Sequence, residues 1–403
     1  MAVPDIPGVV VPEGQQLAFL RDHVRELCRH HSPRFPGAQP ISFNKQSLDL
    51  LLEEDFWVCE KSDGQRVLVL IVVPPMSGRQ EVYLIDRKNA YYRIHGLVFP
   101  HHDPASDAAV AGLRTHTLLD GELVVDTVAE AQTKLRLLLF DCIVSDGENL
   151  TRRPLSRRYG RLKSHIFPPH ARYMAKDADA AMMAPFEVQV KPMDLAYGLD
   201  TVLQEKIPRL QHGHDGLIFT ALNGGLKWKP PEENTIDFRL HLRFPPDAQG
   251  APDVSAKPYF FLLQHVRGDD YELFDWMDME DAEWERWKAS GEQLDDRIVE
   301  CAWRAPSPDS ATEATWHIMR IRDDKKTGNH KTTVVNILQS IRDGVGEAEL
   351  VELVPAIRAA WKASERERLR QAAPRPQAPQ RFQGLGGPAP PIVSGGMPGL
   401  VRR

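Results

Sequence analysis

The chain has 403 residues, enough for two domains and a sizeable core, and its 42% hydrophobic and 26% charged residues are the proportions of an ordinary globular protein. Its 50 Lys and Arg against 56 Asp and Glu leave a formal charge of −6, which argues against a protein that coats nucleic acid by bulk positive charge. Cys28, Cys59, Cys142 and Cys301 stand alone, so neither a zinc ribbon nor a disulfide framework is expected and a reducing compartment fits.

Residues 1–10 carry neither the basic start nor the apolar run of a signal peptide. The longest apolar stretch, 67–73, is too short to span a bilayer, so no membrane partner is expected. The Asn149-Leu150-Thr151 sequon is read as chance. In 14–31, Leu17, Leu20, Val24 and Leu27 recur three to four apart, predicting an amphipathic helix, and 42–52 suggests another. From Phe56 the pattern turns to strands at 66–73, 81–87, 91–99, 117–126 and 134–144. Helices are predicted at 156–166 and 199–210, then strands at 216–221, 226–229 and 235–244, the last alternating Ile236, Phe238, Leu240, Leu242 and Phe244. A Pro/Asp/Gly linker at 245–258 precedes short strands at 259–266, 272–276, 297–304 and 315–322, suited to a small barrel. Helices follow at 331–341 and 347–371, with Pro355 expected to kink the second or mark its true start. From Ala372, seven prolines, six glycines and no acid predict a disordered tail.

Lys61-Ser62-Asp63-Gly64-Gln65-Arg66 sits just before an apolar strand, and by itself reads as a charged turn. Compatible pieces follow in order: Asp86-Arg87, Asp120-Gly121-Glu122, Phe140-Asp141, Asp215-Gly216, Lys227-Trp228-Lys229-Pro230, Asn234 to Phe238, and Arg320-Ile321-Arg322-Asp323-Asp324-Lys325 with Asn329 beyond. Together, from about Phe35 to Ile341, they resemble the covalent nucleotidyltransferases, most closely the mRNA capping guanylyltransferases.

The chemistry suits these residue types. A lysine amine attacks phosphorus only when neutral, and nearby cations or burial favour that form. The resemblance makes Lys61 the nucleophile that becomes lysyl-GMP with loss of pyrophosphate, and it assigns Lys227 and Lys229 to the α-phosphate. Spacing of i, i+2 on a strand would put both ammonium groups on one face, with Trp228 turned into the core. Arg66 and Arg87 look like ribose and phosphate contacts, since a guanidinium fork suits both kinds of oxygen. Glu122 and Asp215 are candidate ligands for Mg²⁺ or Mn²⁺, which take oxygen donors. In such families the Glu of D-G-E also touches ribose, so its role stays open. Asp120 belongs with the GTP contacts. Phe140 resembles the aromatic that stacks on the purine, and a core phenylalanine is the equal alternative. Asp237 resembles a position that orients the active-site lysines. Arg320, Arg322, Asp324 and Lys325 match a segment that, in the family, closes over the β- and γ-phosphates of GTP.

The resemblance implies an α+β fold. A nucleotidyltransferase domain (ATP-grasp-like, mainly antiparallel sheets) at 1–240 would be followed by an OB-fold β-barrel lid at 241–330. Helices at 331–371 would pack back on the first domain, and the tail would occupy 372–403. It also implies a 5′-diphosphate-ended pre-mRNA as acceptor, a nuclear location and docking on the phosphorylated C-terminal repeats of RNA polymerase II. The first 60 residues are too few for a cysteine-phosphatase-type RNA triphosphatase, so that activity is expected on a separate subunit, as in stand-alone fungal-type enzymes. An ATP-dependent polynucleotide ligase shares the lysine, D-G-E and the lysine pair. L-K-W-K-P, N-T-I-D-F and the R-x-R-x-D-K ending favour capping, and a catalytically dead binding module ranks lower. His101-His102 and His212-Gly213-His214 lack a third ligand at metal spacing and read as loop histidines; Asn223-Gly224-Gly225 reads as a hairpin turn. The acidity is local: 13 acids against 3 bases lie between Asp269 and Glu300, while the tail has four arginines. The motif-bearing remainder is neutral, which suits an enzyme that grips one nucleotide and an RNA end.

Overall fold

The computed structural model describes residues 3–31, 35–75, 77–129, 132–222, 224–304, 315–363 and 367. The expected tail lies outside them, as does most of the expected helix beyond Ala363. The chain forms two units. Of the described residues, the first takes those up to Ser42, Gln46–Trp228 and those from Ala348; the second takes Phe43–Lys45 and those of Lys229–Glu347. The division falls before the strand at 235 rather than at 240, because that strand pairs only with strands of the second unit.

In chain order the first unit opens with β1 (Val9–Val10), α1 (Gln15–Cys28), β2 (Ile41–Ser42), α2 (Gln46–Glu53), β3 (Trp57–Ser62), β4 (Gln65–Val72), β5 (Glu81–Ile85) and β6 (Tyr91–Ile94). Long strands β7 (Thr117–Ala129) and β8 (Gln132–Ser145) lead to β9 (Glu148–Asn149), α3 (Leu155–Arg161), a π-turn at Leu162–Ile166, α4 (Phe167–Lys176) and α5 (Ala178–Met183). Then come β10 (Glu187–Val190), β11 (Asp194–Leu195), the short α6 (Leu199–Thr201), β12 (His214–Thr220) and β13 (Gly225–Trp228). The fold is α+β. One sheet runs β1-β6-β5-β4-β7-β8-β10 with β9 on β8, and a second runs β11-β3-β12-β13-β2. Pairing is antiparallel except at β8–β10 and β2–β13.

Alternation along the large sheet decides where the site can open. Val67, Val69, Ile71, Leu119, Leu123, Leu137 and Leu139 face a core roofed by Leu155, Tyr159, Leu162 and Ile166. On the opposite face Leu68, Leu70 and Leu118 pack under Leu17, Leu20, Val24 and Cys28 of α1. Further along this second face the side chains become Arg66, Asp120 and Glu122, with Arg66 opposite Glu122 and Leu68 opposite Asp120. One face of one sheet therefore passes from an apolar, helix-covered half to a charged half.

Three local readings change and one stands. Lys61 belongs to a strand of its own, β3, and not to a turn ahead of β4. The helix expected at 156–166 runs on through the π-turn into α4, with Pro168 and Pro169 near the start of α4. The expected strand 226–229 closes at Trp228. The hairpin at 224–225 is real, with Ala221 N–H donating to Gly224 O at 2.8 Å; Asn223 lies outside the described residues.

The second unit has β14 (Thr235–Arg243), β15 (Tyr259–Arg267), β16 (Asp270–Met277), α7 (Asp281–Ser290), β17 (Ile298–Arg304), β18 (Thr315–Ile321) and α8 (Lys331–Arg342). Its sheet is wholly antiparallel, in the order β16-β15-β14-β17-β18. The edge strands approach through side chains, with the rings of Phe274 and Trp316 5.9 Å apart. Helix α7, unforeseen inside the acidic stretch, is anchored by Trp284, whose ring meets Phe260 at 5.5 Å. The final helix α9 (Glu347–Lys362) carries Pro355 in its interior, held on both sides by buried Leu350, Val354 and Ile357, and its Trp361 ring lies 5.7 Å from Tyr197.

Phe238 is fully buried, stacked on Phe274 at 4.8 Å and edge-on to Trp316 at 5.5 Å. Phe238→Ala should cost about 3–5 kcal/mol. The check is denaturant unfolding, where the midpoint falls while the slope is kept.

Candidate active site

The site begins where the β4–β7 face turns polar. Arg66, 9% exposed, donates from Nε to Asp120 Oδ1 at 3.0 Å and from Nη2 to Oδ2 at 2.6 Å. Nη1 donates to Ala38 O at 2.6 Å. Burial works against the guanidinium charge, and Asp120 more than offsets it. The plane lies 5.7 Å from the Phe140 ring and 5.8 Å from the Phe35 ring. Asp120 pairs with Asp141 and Gly121 with Leu139, so Phe140 is the extra residue of a β-bulge on β8. It is half-buried and outside the core clusters. Asp141 itself is held by Arg158 at 2.8 and 2.9 Å.

A second bulge faces the lysine. On the β3–β12 ladder His214 pairs with Ser62 and Leu217 with Glu60, which leaves Asp215 and Gly216 opposite Lys61 alone. Gly216 has φ +139°, a conformation that side-chain-bearing residues rarely take, and this explains the glycine of Asp-Gly. The kink brings the Asp215 carboxylate onto Lys61 Nζ as an ion pair. The glycine of K-x-D-G has another cause: a Cβ on Gly64 would stand 2.3 Å from Leu123 O, so only glycine lets the β3–β4 turn lie against β7. On β13, Lys227 is exposed between buried Leu226 and Trp228. Lys229 falls one residue beyond the strand, as the first of the second unit's long segment, so strand alternation does not place it with Lys227. Arg87 is exposed in the β5–β6 turn, where Asp86 caps Ala90 N–H at 2.8 Å.

Beneath Lys61 runs a buried polar network that motif reading missed. Lys191, 2% exposed, donates to Ser62 Oγ at 2.6 Å and pairs with Glu60 Oε1 at 3.1 Å. His212 lies 2.9 Å from Asp126 Oδ1 through Nδ1 and 3.4 Å from Glu60 Oε1 through Nε2. Arg136 pairs with Asp126 from the other side. His212 is the expected loop histidine, but a buried and paired one, as is His101, 4% exposed and 3.5 Å from Asp146. Burial pulls His212 down, but its two carboxylates raise it above the ordinary value. Burial pushes Glu60 up, yet Lys191 and His212 hold it at about 2. Glu60 adjoins the motif lysine and Lys191 precedes Pro192, but no spacing rule links either to Lys61.

The Glu122 carboxylate accepts no hydrogen bond and forms no ion pair among the described residues. Burial pushes its carboxyl up against the pull of Lys191, Lys61, Arg66 and Arg87. Those four cations and this carboxylate therefore share one electrostatic neighbourhood. No group of three or more His, Cys, Asp or Glu among the described residues could hold a metal by itself. An uncommitted Glu122 and a nearby Asp215 instead suit a hard cation that draws its remaining ligands from phosphate and water.

The second unit gathers its own cations. Asp237, 5% exposed, accepts from Arg322 Nη1 at 3.1 Å and pairs with Lys325. Asp324 takes a fork from Arg322 at 2.8 and 2.7 Å, which holds that carboxyl below the usual range. Glu300, absent from the motif set, accepts from Arg320 Nε at 2.6 Å and from Thr235 Oγ1 at 2.7 Å. Asp237 thus holds Arg322 and Lys325, where the resemblance suggested the active-site lysines.

Two mainly antiparallel sheets carrying this ordered set of cations and carboxylates, followed by a β-rich unit, define a nucleotidyltransferase. The catalytic-domain model of the mRNA capping enzymes matches residues 1–231, and the model of their C-terminal domain matches 233–351. Similar proteins include the mRNA-capping enzyme subunit alpha of Schizosaccharomyces pombe, 38% identical over 368 residues and covering 88% of each chain. That of Neurospora crassa is 36% identical over 393 residues, covering 90% of this chain and 94% of the relative. That of Saccharomyces cerevisiae is 35% identical over 406, covering 89% and 87%. The chain belongs to the mRNA capping enzyme family.

The network sets an acid limb to stability. With a folded pKa near 2 against an ordinary 4.5, Glu60 stabilises the fold fully above pH 4.5 and loses that contribution as pH falls toward 2. Denaturant unfolding across this window should show wild type and Glu60→Gln well separated at neutral pH and converging in acid. A constant separation would remove Glu60 from the acid response.

Proposed function

We propose that this chain transfers GMP from GTP to the 5′-diphosphate end of RNA through a covalent intermediate on Lys61. One observation carries the reading: in a capping-family chain, Lys61 sits opposite the Asp215–Gly216 bulge, within the charge field of Glu122. In the first step Lys61 Nζ attacks the α-phosphorus, the N–P bond forms, the bond to the β-phosphate oxygen breaks and pyrophosphate leaves. Asp215, hydrogen-bonded to Nζ, is placed to receive the proton. In the second step the terminal oxygen of the RNA diphosphate attacks the same phosphorus and the lysine amine is released.

Arg66 stays fixed on Asp120 and offers its remaining N–H groups and its face, with Phe140 beside it for the purine. Lys227, Lys229 and Arg87 meet phosphate, and Arg320, Arg322 and Lys325 serve the leaving pyrophosphate, with Glu300 as counter-ion of Arg320 and Asp237 and Asp324 as those of Arg322 and Lys325. Glu122 and Asp215 would hold Mg²⁺ or Mn²⁺, which when bound offsets phosphate charge. The relatives are named subunit alpha, which supports a separate partner subunit here, read as the RNA 5′-triphosphatase. Among the described residues no helix is long and apolar enough to cross a membrane. Work on polymerase-II transcripts in the nucleus, with docking on its phosphorylated repeats, completes the reading.

Intact-mass measurement after incubation with GTP and Mg²⁺ should show a gain of one GMP, lost on adding diphosphate-ended RNA. Lys61→Ala should take up none. Uptake from ATP alone would favour the ligase reading and overturn this one.

A further inference from the structure

The residues assigned to the chemistry stand on two different sheets. Glu122 is on β7 of the large sheet, while Lys61 on β3 and Asp215 on β12 belong to the small one. No ladder joins the two sheets among the described residues. They are brought together by the segment just before β12. Thr127 N–H, at the end of β7, donates to Gln211 O at 2.8 Å; Asp63 N–H, in the turn after β3, donates to Gly213 O at 2.8 Å. His212 lies between these bonds and repeats both links through its side chain. Nδ1 reaches Asp126, four residues along β7 from Glu122, and Nε2 reaches Glu60, the neighbour of Lys61.

We propose that His212 is a positioning residue for lysyl-GMP formation: its imidazole fastens the strand of Glu122 and the strand of Lys61 to the segment that delivers Asp215. The inference rests on the reading of Lys61 as nucleophile. The charges around the ring support it. Asp126 from β7 and Glu60 from β3 face its two nitrogens, and each has a second cation, Arg136 from β8 and Lys191 after β10. An imidazole with a nitrogen on each side joins the two carboxylates; an amide in its place has both donors on one nitrogen and spans them less well. His212 is 9% exposed and three residues from Asp215, so it acts through placement and not by touching substrate.

The test uses the full chain with GTP and Mg²⁺ and reads the rate constant of GMP uptake at saturating GTP, the GTP concentration giving half that rate, and the melting temperature. His212→Ala and His212→Gln should lower the rate constant about tenfold to hundredfold, since small misplacements at a reacting centre cost this much. Half-saturation should move less than about threefold, and His212→Gln should lose less rate than His212→Ala. Val24→Ala, in the α1 core far along the sheet, serves as a variant with lowered melting temperature and normal rate. If His212→Ala does not fold, His212→Gln decides. A His212 variant with unchanged rate, or one slowed no more than Val24→Ala, overturns the proposal. Absence of GMP uptake by the wild-type chain would instead overturn the reading of Lys61 on which it rests.

Discussion

The buried fork between Arg66 and Asp120 is the constraint around which the first unit is organised. It stands where the face of β4 and β7 changes from apolar side chains under α1 to charged ones. A guanidinium at such a seam is tolerated only when its charge and N–H groups are met, and Asp120 and Ala38 O meet them. Removing one partner of a buried pair leaves an uncompensated charge, at a cost of about 3–5 kcal/mol. The pair therefore ends the core and begins the site, and it holds the plane against which Phe35 and Phe140 lie.

The same economy of charge recurs elsewhere. In the first unit Lys61 leans on Asp215 and Lys191 on Glu60. In the second, Arg320 leans on Glu300, and Arg322 and Lys325 on Asp237. Each of these cations has a carboxylate partner. A polyphosphate must compete with those carboxylates, and its affinity is the difference between two sets of ion pairs and not the sum of one. Carboxylates that keep such cations apart also keep them ordered, which lowers the entropy of gathering them.

Much of this was legible in the chain. Alternation and helical periodicity located α1, the large sheet and the second sheet-forming unit, because each element buries one face of a regular pattern. The two motif glycines were legible as motif and explained only by structure: Gly64 by a backbone oxygen on β7, Gly216 by a bulge. The strand of Lys61 was hidden because Glu60, Lys61 and Ser62 interrupt its apolar run with groups satisfied from distant parts of the chain. His212 and Glu300 escaped for the same reason, since their partners lie dozens of residues away except where Glu300 meets Arg320 and Arg322 across neighbouring strands. Helix α7 was masked by a sequence almost without an apolar stripe, in which Trp284 alone is buried.

The bulge that carries Phe140 has a consequence for variation. Neighbours on β8 are bound to cross-strand partners, and a change in any of them is felt along the ladder. Phe140 has no opposite number. A different side chain could occupy its place while the hydrogen-bond register on either side stayed as it is. The flat surface beside Arg66 is therefore open to exchange without a shift of strand register, and alterations there would be read by the bound molecule before they were read by the ladder.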